Sequence, residues 1–322
     1  MKTLLLAVVV ALISPQALAQ TPGSIPSPPR HEAAAVETGL ATPTGNDVNV
    51  SLGSYTYVEP GALRISIHGI KVGGEYTGAV SLDRRRHWFA QVDVRGMIGK
   101  VTYDGWCSPW VITPDSTSPN GYDLGVGDAS ACSETGDRDW YLETRGLVGK
   151  DFVGQTWGVA PFSGLGLRHL SNGTTGTPGY RTDNYLYLPL GMTARTQVAS
   201  HVLSFTLEYD YLIHGWQKTR DSELGGGDVP ATTTAPAFTI EGFSDISFDQ
   251  HSGWAIRASG KYQVARNWSV EPYYIHWSVS ASPVNYETAM FTINDVTAQE
   301  QLGAYEPVNT TNEFGVKLGF HF

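Results

Sequence analysis

The chain is 322 residues long, with 36 Gly, 16 Tyr, 11 Phe and 9 Trp, only 16% charged residues and a formal net charge of −10. That negative balance argues against a nucleic-acid partner, and no stretch reaches the roughly 20 apolar residues that a membrane-crossing helix requires. Glycine and aromatic residues at this density suit strands, tight turns and interfacial girdles better than helices.

Lys2, the apolar run TLLLAVVVALI and then Ala17-Leu18-Ala19 have the charged start, short apolar centre and small-residue cleavage site of a secretory signal. Residues 1–19 are therefore expected to be removed near Ala19 on export. Residues 20–46 are rich in Pro, Ala and Gly and show no apolar period, so a disordered lead-in is expected there. From residue 47 to 322 alternation with period two takes over.

Ten strands are predicted, near 47–58, 63–81, 87–104, 139–152, 155–172, 184–198, 201–219, 252–264, 268–282 and 311–322, within a range of eight to twelve. The connections after strands two, four, six and eight are short, whereas those after three, five, seven and nine are long. The longest is placed around CSPWVITPDSTSPNGYDLGVGDASAC. Short turns on one side and long loops on the other are the habit of an all-β, antiparallel, up-and-down barrel of the outer membrane.

The alternation also identifies the two faces. In strand eight, Trp254, Ile256, Ala258, Tyr262 and Val264 oppose Arg257, Ser259, Lys261 and Gln263. In strand seven, Leu203, Phe205, Leu207, Tyr209 and Tyr211 oppose Ser204, Thr206, Glu208, Asp210 and His214. The first sets are read as facing lipid and the second as facing the lumen. Lumen positions such as Lys71, Glu75, Asp93, Arg95, Glu143, Arg145, Arg257 and Lys317 carry both signs, so they are expected to pair into a plug rather than line an ion pathway. The final strand ends with Val316, Leu318, Phe320 and Phe322 on one face. A terminal aromatic at that parity resembles the signal read by the barrel-assembly machinery, the expected partner during insertion.

Cys107 and Cys132 fall in one polar stretch and, in an oxidising compartment, are candidates for a loop disulfide. Such a bridge contributes about 3 kcal/mol in the loop-entropy account. Neither their spacing nor their neighbours resemble a metal site, and no cofactor signature occurs.

Chemistry concentrates in GLRHLSNGTTGTPGYRTDNYLYL, residues 166–188. Trp157, Val159, Leu165 and Leu167 give strand five its lipid face, and His169 and Ser171 continue that face at the long-loop end. Leu186, Leu188, Leu190 and Met192 do the same for strand six, and Asn184 shares their parity. A serine nucleophile needs a base within reach and a third group to orient that base. Ser171, His169 and Asn184 meet this requirement on the membrane side, where the substrate at hand is an acyl ester. The plainer reading is a rim strand end, with Ser and Asn starting a turn.

His169-Leu170-Ser171-Asn172-Gly173 followed by Asp183-Asn184 resembles the Ser–His–Asn arrangement of outer-membrane phospholipase A. Arg168-His169-Leu170-Ser171-Asn172 is similar to the motif of lipid A 3-O-deacylases, in which the downstream group is an acid; Asp183 falls at that place. The second resemblance implies that Asn172 helps hold the oxyanion. The phospholipase resemblance would imply calcium, but no acidic residue follows Gly173, so the motif does not support calcium and no cofactor is expected. The expected partner is outer-leaflet lipid, phospholipid or lipopolysaccharide, and a homodimer is an open assembly.

The layout also resembles the omptins, ten-stranded surface proteases with two Asp facing an Asp–His pair across the outer cleft. Asp137-Arg138-Asp139-Trp140 is similar to their Asp-x-Asp-Trp element, and Asp104 is a further acid. Asp221 and Glu223 lie where the opposite wall would be, but no Asp-x-His follows. An omptin-like barrel without protease activity, or a non-catalytic or porin-family barrel acting through its extracellular loops, stands as the alternative to a serine acyl hydrolase.

Overall fold

The computed structural model describes residues 39–61, 64–83, 87–173 and 180–322. The signal segment, most of the lead-in and the TTGTPG stretch at 174–179 lie outside the described residues.

Ten long strands form a closed antiparallel barrel: β1 (Gly45–Glu59), β2 (Ile65–Asp83), β3 (Trp88–Cys107), β4 (Ser130–Lys150), β5 (Trp157–Asn172), β6 (Arg181–Val198), β7 (His201–Thr219), β8 (Gly253–Ala265), β9 (Trp268–Val279) and β10 (Asn309–His321). Each pairs with its neighbour in sequence, and β1 pairs with β10, with Asp47 opposite His321 and Val58 opposite Thr310. Closure leaves no strand edge unpaired, which a lipid-exposed sheet requires.

The outward face is what a soluble sandwich would bury. Val50, Leu52, Val72, Val92, Leu165, Phe205, Leu207 and Leu318 are 50–66% exposed. Trp88, Trp157, Trp268 and Phe322 ring the short-turn end, as an aromatic girdle does. The chain therefore has the fold of an outer-membrane β-barrel.

The lumen is filled rather than open. Arg145 binds Asp93 at 2.8 Å and Glu208 at 2.7 Å, and Arg257 binds Glu143 and Asp210. Arg95 binds Glu313, while Lys317 sits 2.9 Å from Glu75. Tyr55, Tyr141, Tyr187 and Trp277 pack among these charges and are fully buried. The mixed charges predicted for the lumen do pair into a plug. A cavity of about 410 Å³ remains below it at the short-turn end, lined in part by Asp47, Gln91, Lys261 and His321.

Three features differ from the sequence reading. Residues 39–44 are not a free lead-in: Leu40 is fully buried, and Thr42 donates from N and Oγ1 to Asp151 Oδ1 at 3.0 and 2.8 Å. Strand β4 starts at Ser130 rather than near 139, because its ladder with β3 continues to the Cys107–Ser130 pair. A disulfide between Cys107 and Cys132 closes this extension, and the longest connection becomes 220–252.

The long loops also fold together. Strands Gly227–Val229, Phe238–Phe243, Asn285–Ile293 and Val296–Ala304 form a four-stranded sheet beyond the barrel rim. With the Trp110–Pro114 and Tyr122–Val126 hairpin they bury Ile112, Leu124, Phe238, Ile240, Phe291 and Ile293. This cap has its own apolar core.

Candidate functional site on the outer wall

Strand β5 packs against β6 with Gly166 under the ring of the facing Tyr187; a Cβ there would come within 2.2 Å of that ring. The strand ends at Gly173, whose φ of +85° turns the chain into the loop and suits glycine. Between these points alternation holds, so Arg168 and Leu170 face the lumen while His169 and Ser171 face out.

His169 stands directly opposite Asn184 in the β5–β6 ladder, with Nδ1 2.7 Å from Asn184 Oδ1. With that oxygen as acceptor, Nδ1 carries the ring proton and Nε2 is the free base nitrogen. The indole of Trp140, on β4, covers the imidazole with ring centres 5.2 Å apart and 53° between planes. Ser171 is the next outward residue on β5, opposite Trp140 on one side and Thr182 on the other, and is 3% exposed. No hydrogen bond joins Ser171 to His169 among the described residues; such contacts are commonly looser before substrate is bound.

The neighbouring candidates separate cleanly. Asp183 is turned into the lumen and 5% exposed, with the same parity as Arg181, which binds Glu59 and Glu306. Asn184 rather than Asp183 is therefore the partner of His169. Asn172 has lumen parity with Arg168 and Leu170, on the other side of the wall from Ser171, so its side chain is not an oxyanion donor at this site. The Gly173 amide is engaged too, donating to the Arg138 carbonyl at 3.0 Å. Trp140 is the contact that the sequence reading did not select; its parity on β4 was the available signal.

The protease-like acids do not converge. Asp139 is fully buried in the lumen and bound to Lys71, whose ammonium lies 3.3 Å from the centre of the Tyr55 ring. Asp137 is half-buried on β4, and Asp104 is exposed at the loop end of β3, accepting from Ser133 at 2.7 Å. Asp221 and Glu223 form a short turn at the start of the 220–252 loop, with Glu223 3.2 Å from Arg220. His214 is not in the lumen as its parity implied. A bulge between Leu212 and His214 turns it outward, 3.3 Å from Asp249 and stacked on Trp216. Among the described residues no group of three or more His, Cys, Asp or Glu is placed to hold a metal ion.

No family model matches the chain, and no curated protein matches it. Solved outer-membrane proteins align along most of the chain at low identity. The outer-membrane protease OmpT from Escherichia coli is 10% identical over 89% of this chain and 100% of its own, with a TM-score of 0.45. The translocator domain of the autotransporter NalP from Neisseria meningitidis is 10% identical over 89% of this chain and 92% of its own, with a TM-score of 0.34. The COG4313 outer-membrane channel from Pseudomonas putida F1 is 12% identical over 88% of this chain and 97% of its own, with a TM-score of 0.35. These similarities concern architecture alone.

Proposed function

We propose that this barrel is a serine acyl hydrolase acting on outer-leaflet lipid. The observation that carries the reading is the 2.7 Å contact between His169 and Asn184 on the lipid side of the wall, with Ser171 next along the same face. A lipid-facing surface favours apolar side chains, and a His oriented through Nδ1 with its other nitrogen free has the form of a general base. Ser171 Oγ would attack the ester carbonyl carbon as its proton passes to His169 Nε2. The imidazolium would then return that proton to the departing alcohol oxygen. Water would follow the same route, releasing the free fatty acid and restoring Ser171. Asn184 contributes by fixing the ring and its tautomer.

Both phospholipid and the acyl chains of lipopolysaccharide fit this chemistry. The test is fatty-acid release by refolded protein in detergent, from each lipid in turn, comparing the parent chain with Ser171→Ala. Release by the parent that falls in the variant supports the reading and selects the substrate. Equal, negligible release from two equally folded proteins overturns it. A second reading, a non-catalytic barrel acting through its loops, is favoured by the separately packed cap around Phe238, Ile240 and Phe291. The plugged lumen argues against a porin.

A further inference from the structure

We infer that the barrel carries a second acyl-ester site on the opposite wall, with Ser278 as nucleophile, His276 as base and Asn312 orienting the base. This rests on the hydrolase reading of Ser171 and His169. His276-Trp277-Ser278 ends the outward face of β9 at the long-loop end, as His169-Leu170-Ser171 ends that of β5.

The register repeats position by position. His169 lies between Leu142 on β4 and Asn184 on β6, and Ser171 lies between Trp140 and Thr182. His276 lies between Ile256 on β8 and Asn312 on β10, and Ser278 lies between Trp254 and Thr310. The geometry repeats as well. His276 Nδ1 is 2.9 Å from Asn312 Oδ1, and Trp254 covers the imidazole with ring centres 5.2 Å apart and 49° between planes. The β4–β5–β6 wall thus has a counterpart in β8–β9–β10, four strands further round a ring of ten.

An aromatic girdle accounts for a Trp or a His at this height. It does not call for a Ser, an Asn and a Trp in the same register around both histidines. Two differences favour the second wall. Tyr274 Oη also donates to Asn312 Oδ1, at 2.8 Å, so the orienting amide is held more firmly, and Ser278 is half-buried where Ser171 is buried. The reaction is the same in its bonds. Ser278 Oγ adds to the ester carbonyl carbon and its proton passes through His276 Nε2 to the leaving alcohol. Water then adds to the acyl carbon, frees the fatty acid and returns the proton to Ser278.

The experiment is exposure of the refolded, full barrel to an alkyl fluorophosphonate, which loses fluoride to an activated serine, followed by peptide mass spectrometry. Fatty-acid release is measured alongside in mixed micelles of phosphatidylethanolamine and lipopolysaccharide. Adducts are expected on both Ser171 and Ser278, and His276→Gln should remove only the Ser278 adduct. Ser171→Ala should lower release about two-fold, the share of one of two equal sites. Adding Ser278→Ala should lower release about 100-fold or more, as loss of a serine nucleophile does. An adduct on Ser171 alone, with the double variant no slower than Ser171→Ala, overturns the second site and leaves the first reading standing. No adduct on either serine overturns both. An adduct on Ser278 alone supports the second site and overturns the assignment of Ser171.

Discussion

Glu143 and Arg257 stand on β4 and β8, four places apart in a ring of ten, so their ion pair joins opposite walls through the lumen. Arg257 Nη1 donates to Glu143 Oε2 at 3.0 Å and its Nε donates to Asp210 Oδ2 at 2.6 Å, while Tyr187 Oη also donates to Glu143. Glu143 is 2% exposed. Glu143→Gln removes the charge that balances Arg257 and nearby Arg168, and breaking a buried pair from one side costs about 3–5 kcal/mol. Arg220→Ala removes an exposed pair with Glu223 at 3.2 Å, and such pairs are worth below about 1 kcal/mol. Urea unfolding followed by tryptophan fluorescence should therefore shift strongly for the first variant and hardly for the second. Equal shifts would show that the lumen network does not tie the walls together.

In the proposed hydrolase Asn184 would act on Ser171 only through His169, so its replacement should change rate rather than lipid binding. Asn184→Ala frees the imidazole to rotate and to take either tautomer. Measured in the Ser278→Ala background, so that Ser171 is the serine at work, fatty-acid release should fall about 100-fold at saturating lipid, within the range that general acid–base catalysis supplies, with KM little changed. Asn184→Asp keeps an acceptor at the same place and should recover much of that loss. Asp183→Asn, which alters a lumen residue on the other side of the wall, should leave release near the parent value. A loss as large in Asp183→Asn as in Asn184→Ala would place the orienting group in the lumen instead.

All ten barrel strands were legible because lipid and lumen impose opposite demands on alternate residues, and period two records this in every strand. The parity that put Asn184 rather than Asp183 beside His169 came from the same rule, since β5 and β6 keep a regular register past that point. Where the rule failed, an extra residue broke it. The bulge at Leu212 and His214 moved His214 from the lumen set to the outer surface, and a single-residue shift of this kind leaves no mark in the hydrophobic pattern. The cap went unread for another reason. Its strands, such as Phe238–Phe243, are short and are paired with segments distant in sequence. The His276-Trp277-Ser278 repeat could have been noticed as a second His-x-Ser, but only the register shows that Asn312 and Trp254 flank it as Asn184 and Trp140 flank the first.

Asp221 and Glu223, read in sequence as protease-like acids, have a different setting at the foot of the cap. Asp221 is half-buried beside Glu287 of the cap strand Asn285–Ile293. Burial first, and then the like charge of Asp221, push Glu287 up to about 7. Burial also raises Asp221, with the nearby charge of Asp245 adding to it. Asp245 is itself neutralised by Lys218 at 2.5 Å and held by Ser222. A carboxyl whose folded value lies above its ordinary one binds its proton more tightly when folded. Its contribution to docking the 220–229 segment on the cap is therefore complete below the ordinary value of 4.5, and is lost as pH rises through about 7. Hydrogen exchange, corrected for the intrinsic pH dependence, should show residues 220–229 and 285–293 more protected at pH 5.5 than at pH 8. The barrel strands should show no such difference. Glu287→Gln, which keeps a donor beside Asp221 and cannot ionise, should hold the protected state at both pH values. Protection that rises with pH in the parent chain, or an unchanged pH response in Glu287→Gln, would show that this carboxyl pair does not control the cap.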